Sequence, residues 1–523
     1  MITFLIGLVI LIGGGFLYGN FCERVFEPDE RETPAYAKQD GVDYVPMKTW
    51  RNSLINLLNI AGTGPIMGPI QGILFGPIAF LAIPIGNVIG GSMHDYFSGM
   101  ICTRDGGTQM PDFVKNYTNK AVFVLYDIFI CLLLLLVGAV FIYTPGDIAA
   151  TQLFGFSGTA ADPTTWIIYA VIFAYYLVAT CLPIDKLIGR IYPIFGLILI
   201  VSAIGIFLAI FTHGWHLTNI WDSWNTVGLY AADGGFDFGA YFGSSPFTGH
   251  HFIPVFFLTV ACGILSGFHS TQTALVSRTI ESEKAGKMTF YNMMIVEGFI
   301  AMCWAAGTMA VINMGATAGG VTMTLAEDGT TWQFFTNIAG NLQAVSATSV
   351  VGVICKQAMG SIGGKIAILG VIILPITSGD TALRGLRLTL ADSLHIKQEN
   401  NGQRLGLAIP VFVLVAAILA WAKFDANGFN VLWRYFAWSN QMISLFALAG
   451  IAIWLMMNKK GRFSWIPLIP AAFYAFATCT FIMNAKIGFN LPWPAAYGVG
   501  AAFTVCYIVI TVVAGKKKAA AKA

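Results

Sequence analysis

Charge is what this sequence has least of. Only 11% of its 523 residues are Asp, Glu, Lys or Arg, against about 25% in a soluble domain. A chain so poor in charge and 56% hydrophobic cannot cover a water-facing surface, so it reads as a polytopic integral membrane protein. The net charge of +3 offers nucleic acid nothing to bind. HExxH, nucleophile-elbow and Walker patterns are missing, so no catalytic residue, metal site or cofactor is expected, and no ATP-driven step within the chain. The nine cysteines include no CxxC and no Cys/His metal spacing. They lie mostly in apolar segments and read as small reduced core residues. No cleavable leader is expected either, and the first residues read as a span. No basic residue precedes Phe4, no small-x-small site follows Tyr18, and Arg24 comes next.

Long apolar runs are what is there. A crossing needs about 20 apolar residues. That window places spans near 1–20, 52–78, 79–102, 121–143, 166–185, 190–212, 252–275, 288–312, 363–382, 405–423, 430–457, 464–485 and 492–514, thirteen in all. The segment 332–358 is only half apolar and holds Asn337, Asn341, Gln343, Lys356 and Gln357; it reads as a helical hairpin at the protein surface. Charge sets the orientation. With the N-terminus outside, the inner loops and tail receive all of the 29 Lys and Arg except Lys356, Lys365, Lys423, Arg434 and Lys486. The loop 213–251 has neither Lys nor Arg. A crossing at 332–358 would swap every later loop and destroy the bias. The chain is therefore expected in the plasma (inner) membrane with a cytoplasmic C-terminus.

Three spans look interrupted. The second carries Ala61-Gly62-Thr63-Gly64-Pro65, the seventh has Gly263, Ser266 and Gly267 ahead of His269, and the ninth reads "LPITSGDTALRG", Leu374 to Gly385. Glycine lets the backbone leave a helix and proline removes a donor. Unwound backbone survives at membrane depth only where it lines protein or a water-filled cavity. Pro65 suits the start of a new half-helix, with Thr63 or Gly64 near its cap. The end of such a half-helix attracts anions. Spans two and seven lie five apart, which is how inverted-repeat transporters place their broken helices. The expected organisation follows: an extra helix 1–20, an inner loop 21–51 with no catalytic pattern, a first repeat 52–212, an outer loop 213–251, a second repeat 252–457 carrying the hairpin, two extra helices within 464–514 and a basic tail 515–523.

Ionisable residues inside spans are functional candidates. His94 and Asp95 lie in span three; Asp95 suits a coupling proton, a structural pin between spans two and three, or a pair with Arg104. His269 suits a substrate carboxylate, a titrating switch or a structural hydrogen bond across the break. Glu297 suits a proton carrier or a bond between helices, and Asp147 lies near a boundary. Thr377, Ser378, Asp380 and Thr381 form the densest polar cluster. With unwound carbonyls they would offer the oxygen ligands of a Na⁺ site; alternatively Asp380 neutralises Arg384. Asn440, Gln441, Trp433 and Trp438 suit a cavity lining, or, for the Trp, interfacial anchoring.

Five blocks in order, "NIAGTGPIMGPI", "GGSMHDYFSGM", "FIPVFFLTVACGILSGFHSTQT", "GVIILPITSGDTALRGLRLTLAD" and "FNVLWRYFAWSNQ", resemble the carbon starvation protein A (CstA) family from about Asp43 to Leu455. The resemblance implies an all-α, LeuT-type 5+5 inverted-repeat core like that of the amino acid–polyamine–organocation superfamily. It implies import of peptides, or of pyruvate with a proton, when carbon is scarce. The broken first and sixth core helices of such folds carry substrate and correspond to spans two and seven. A cation site between the first and eighth core helices corresponds to Thr377, Ser378 and Thr381 of span nine. The chain looks shorter than long members of the family. The expectation is a secondary active importer of a small peptide or pyruvate, with H⁺ or Na⁺ as coupling ion. The alternative is a membrane nutrient sensor for the same ligands.

Overall fold

The computed structural model describes residues 1–41, 43–179, 184–222, 251–325, 332–338, 340–345, 347–396, 401–425 and 428–522. Most of the expected outer loop 213–251 therefore lies outside the described residues. The apolar stretches are mostly helical where they are described, with non-helical breaks inside spans two and seven. Among the described residues, nine helices are long and apolar enough to cross a membrane: Ile2–Phe26, Lys120–Leu153, Ile194–Thr212, Glu283–Met314, Thr348–Ala391, Gly402–Phe424, Gly428–Met457, Gly461–Asn484 and Trp493–Lys522. The other four stretches are shorter or broken. Span two is Thr49–Ile60 followed by Gly64–Gly72. Span three is Ala79–Gly86, a π-helical stretch Asn87–Ser92, and Met93–Arg104. Span five is Pro163–Ala179. Span seven is Phe252–Thr259, Ala261–Ile264 and Gly267–Val276.

Burial separates the centre from the rim. Glu283–Met314 and Gly428–Met457 are mostly buried, whereas Trp493–Lys522 is largely exposed, as a lipid-facing helix must be. Contacts at the helix ends sort the chain into two sides. The Met1 amino group donates to Leu217 O and, at 3.0 Å, to Asn219 Oδ1. Lys460 Nζ donates to Val25 O at 2.7 Å and Phe26 O at 3.0 Å, and Lys518 Nζ to Asn116 O at 2.7 Å. These groupings agree with the charge bias along the chain.

The segment after the first helix is fastened rather than loose. Glu283 is buried and receives Arg104 at 2.9 Å on each carboxylate oxygen, together with the Asp29 amide at 3.0 Å. Arg31 lies 3.4 Å from Glu283 and grips Asp29 in two side-chain hydrogen bonds. That guanidinium holds the Asp29 carboxyl well below the usual carboxylate range. Thr33 Oγ1 donates to Ile280 O at 2.7 Å, and Met47 pairs with Ile280 in a parallel bridge.

Four stretches differ from the sequence expectation. Residues 332–345 are not helical: Trp332–Ile338 and Asn341–Val345 pair antiparallel, and Thr322–Leu325 adds a third strand. The reason is local. Gly340 at φ +89° turns the chain, and the flanking Trp332, Phe334, Phe335 and Val345 favour extended backbone. The second half of 332–358 is helical and runs into span nine through Gly360, the one non-helical residue of Ala347–Ser393. The break expected at Leu374–Gly385 is absent. Ser and Thr hydroxyls return to the helix carbonyls there, and the Tyr176 hydroxyl braces Pro375 O at 3.2 Å. Span four continues to Leu153 and takes Asp147 into its interior. The last helix continues through the basic tail to Lys522.

Gly360 has φ +69° and ψ −169°, and nothing lies within 4 Å of an added Cβ. Backbone strain alone should therefore set the cost of a side chain. We expect Gly360→Ala to lower stability by about 1–3 kcal/mol in thermal unfolding followed by Trp fluorescence in detergent. Gly406→Ala, in helix Asn401–Phe424 and equally free of neighbours, should be neutral or slightly stabilising.

Candidate functional site

The two broken spans meet. A Cβ on Gly64 would fall 2.1 Å from Cys262 Cβ, so the break in span two lies directly against span seven. Only a residue without a side chain allows that approach. Ala61 leaves the first half-helix with its amide on Leu57 O at 2.8 Å, and the Gly62 amide turns back to Ile60 O at 2.9 Å. The second half-helix starts at Gly64 with Pro65 in its first turn and no side-chain cap. Thr63 Oγ1 and Asn59 Oδ1 are buried there without hydrogen-bond partners. Ala61, Gly62, Thr63, Gly64 and Pro65 thus form a buried, polar, uncapped helix start, which suits an anionic group.

Span seven is treated differently. Leu265 and Ser266 are extended, and Gly267–Val276 begins a new helix. Span eleven satisfies this break. Asn440 Oδ1 accepts from Ser266 Oγ at 3.0 Å and from the Phe268 amide at 2.8 Å. Gln441 Nε2 donates to Leu265 O at 2.8 Å. Asn87 Nδ2, from span three, donates to Gly263 O at 3.1 Å and Met294 O at 3.0 Å. Asn440 and Gln441 therefore act as partners of broken backbone rather than cavity lining. Asn87 was not singled out by sequence; its signal was a lone amide in the apolar run "AIPIGNVIGG".

The ionisable candidates of three spans converge beside this break. Asp95 Oδ1 lies 2.8 Å from His94 Nδ1, and Asp95 Oδ2 lies 3.1 Å from His269 Nδ1. His269 Nε2 faces Glu297 Oε2 at 3.6 Å. All four side chains are fully buried. The pairing of Asp95 with Arg104 does not occur, because Arg104 is taken by Glu283. Both ring nitrogens of His269 are aimed at carboxylates, so it belongs to this cluster.

Span nine contributes less than its density of polar residues suggested. Thr377 Oγ1 donates to Leu374 O at 2.7 Å and Thr381 Oγ1 to Ser378 O at 2.9 Å, both within their own helix. Asp380 Oδ1 lies 3.9 Å from Arg384, the neutralising pair that the spacing allows. Ser378 reaches across helices, donating to Leu58 O at 3.0 Å, just ahead of the span-two break. Asp147, near a boundary by sequence, is buried with Lys423 at 2.7 Å, and Thr348 Oγ1 reaches its other oxygen at 2.5 Å. Lys423 also lies over the rings of Tyr143 and Tyr169. The sequence reading placed Lys423 at the outer end of the span 405–423, where it closes an apolar run.

Two expectations follow from these bonds. Replacing Asn440 by Leu leaves the Phe268 amide and the Ser266 hydroxyl without their acceptor, at about 1–3 kcal/mol for each buried group. Asn440→Asp keeps that acceptor, and thermal unfolding in detergent should rank wild type, then Asp, then Leu. Lys423→Met strands Asp147 and should cost about 3–5 kcal/mol. Adding Asp147→Asn should restore part of that loss, and a double-mutant cycle measures how much.

Comparison with known proteins places the chain. Residues 1–215 and 145–481 match the family described as carbon starvation protein CstA. An uncharacterized membrane protein from Haemophilus influenzae is 40% identical over 334 residues, covering 58% of this chain and 89% of that protein. The peptide transporter CstA of Campylobacter jejuni is 25% identical, covering 90% of this chain and 78% of its own. That of Escherichia coli is 24% identical, covering 88% and 78%. In fold the chain is similar to a manganese transporter from Eremococcus coleocola, with a TM-score of 0.58 at 10% identity over 90% of this chain and 94% of the other. Matches in sequence over most of the chain have one conclusion: the chain belongs to the carbon starvation protein CstA family.

Proposed function

We propose that this multi-pass membrane protein is a secondary active importer of a small carboxylate-bearing nutrient, a peptide or pyruvate, driven by H⁺ or Na⁺ and serving cells short of carbon. The observation that carries the reading is the contact between the two helix breaks, Gly64 against Cys262, with an uncapped half-helix start at Gly64. The peptide transporters to which the chain is similar favour a peptide. In this reading, Ala61–Pro65 offers backbone donors and the positive end of a helix to the substrate carboxylate. Gly263, Ser266 and Gly267 form the opposite wall, and substrate moves as the broken helices rock against the rest in an inverted-repeat core. Ser378 brings a hydroxyl to Leu58 O at the same break, where a Na⁺-coupled form would hold its ion. The expected orientation has the N-terminus outside and the C-terminus in the cytoplasm.

Uptake by purified protein in liposomes tests the reading. A labelled dipeptide and labelled pyruvate are each offered under an inward H⁺ or Na⁺ gradient. Accumulation of one solute under one gradient is the expected result and identifies both substrate and ion. Binding without accumulation under either gradient overturns transport and turns the reading to a nutrient sensor.

A further inference from the structure

Glu297 is fully buried, and neither of its carboxylate oxygens has a hydrogen-bond partner. His269 Nε2, the nitrogen that faces it across 3.6 Å, also has none. A carboxylate fixed in that place only as a bond between helices would have a donor on it. An ionised one without a donor would cost several kcal/mol. The pair instead forms a gap with an acid on one side and a base on the other. His269 is steadied from behind by Asp95, whose second oxygen is held by His94. The titratable groups that meet here are His94 and Asp95 from span three, Cys262 and His269 from span seven, and Glu297 from span eight. Span eleven presents the neutral Asn440, which donates to Cys262 Sγ at 3.3 Å. Span one presents Leu11 beside Gly298. Among the described residues, no group of three or more His, Cys, Asp or Glu is arranged to hold a metal ion. Both Asp95 oxygens are already taken by imidazole nitrogens.

We propose that Glu297 and His269 form the proton-carrying site of this protein, with Asp95 as the positioning residue for His269. The proposal rests on the transport reading above and assigns its coupling ion. Loaded, the site holds a proton on Glu297 and an imidazolium on His269 against the Asp95 carboxylate, so the three groups are neutral together. Unloaded, one proton is shared across the gap. The Glu297 Oε2–H bond breaks as the His269 Nε2–H bond forms, leaving a carboxylate and an imidazolium, or the reverse. Loading therefore adds one positive charge to a fully buried cluster. His269 is the third residue of the half-helix that starts at Gly267, opposite the span-two break. A substrate carboxylate at the breaks and a proton in the cluster offset each other's charge, so each favours the other's entry. Coupling energies of this kind correspond to about 5–150-fold in affinity.

The test uses the full chain in liposomes with Glu297→Gln, which keeps the shape and cannot carry the proton. Two assays are run: accumulation of the labelled dipeptide or pyruvate under an inward H⁺ gradient, and counterflow of the same solute at equal pH. The expected result is that E297Q loses accumulation by about tenfold or more and keeps counterflow. Undiminished accumulation overturns the proposal. Loss of counterflow as well assigns Glu297 to substrate binding or folding and also overturns it. Should E297Q not fold, His269→Gln is read in the same assays against the same outcomes. Wild type that neither accumulates nor exchanges solute defeats the transport reading instead. Infrared difference spectra on a pH step then judge the proton site by itself. A protonated-carboxyl band present in wild type and missing in E297Q upholds it, and its absence from wild type overturns it.

Discussion

Backbone released from a helix in hydrocarbon must find a partner inside the protein, and the centre of this molecule is arranged around that requirement. Span seven opens at Leu265 and Ser266, and the freed groups are met by Asn440, Gln441 and Asn87 from spans eleven and three. Span two opens at Ala61–Thr63, and its first half-helix is met by Ser378 of span nine. Three helices are thereby tied to two breaks. The second half-helix of span two is the exception, since it starts without a side-chain cap. That donor-rich end is the feature on which the proposed binding of a substrate carboxylate rests.

The same low dielectric sorts the charges. An exposed ion pair contributes about 0–1 kcal/mol, but a buried one commits the helices that carry it. Three buried groupings stand out, each joining different spans. Glu283 gathers Arg104 and the start of the 23–51 segment. Asp147 joins spans four and ten through Lys423, and Thr348 ties in the helix after the sheet. Asp95, His269 and Glu297 meet beside the span-seven break. The first two are cation–anion pairs with full partners. The third has an acid whose oxygens are unpartnered, which marks it as the grouping with a variable proton content.

The breaks in spans two and seven were legible because glycine arrives there with Pro65, Ser266 and His269, a mixture that helix packing does not call for. The same reasoning failed at Leu374–Gly385. Thr377, Ser378 and Thr381 look like the lining of an unwound segment, yet their hydroxyls bond to nearby helix carbonyls and leave the helix whole. Local hydroxyl chemistry supports either outcome, and the neighbours decide. The kink at Gly360 went unread because its signal is one backbone angle. The strands at 332–345 were hidden by a reading window sized for helices. Lys423 looked like the plain charged end of a span because its partner, Asp147, is 276 residues away.

Composition by itself determined that the chain lives in a membrane, because so few charges cannot solvate a surface of this size. The spacing of apolar runs determined where helices form, and glycine with proline determined where two of them stop. Those are local properties, set within one or two turns of chain. Tertiary structure decided which groups meet. It brought Asp95, His269 and Glu297 together from three spans, gave Asn440 to the span-seven break, and pressed Gly64 against Cys262. Such contacts join residues up to 200 or so positions apart, and no local pattern encodes them. They depend on how helices cross, which is fixed only when the whole bundle packs.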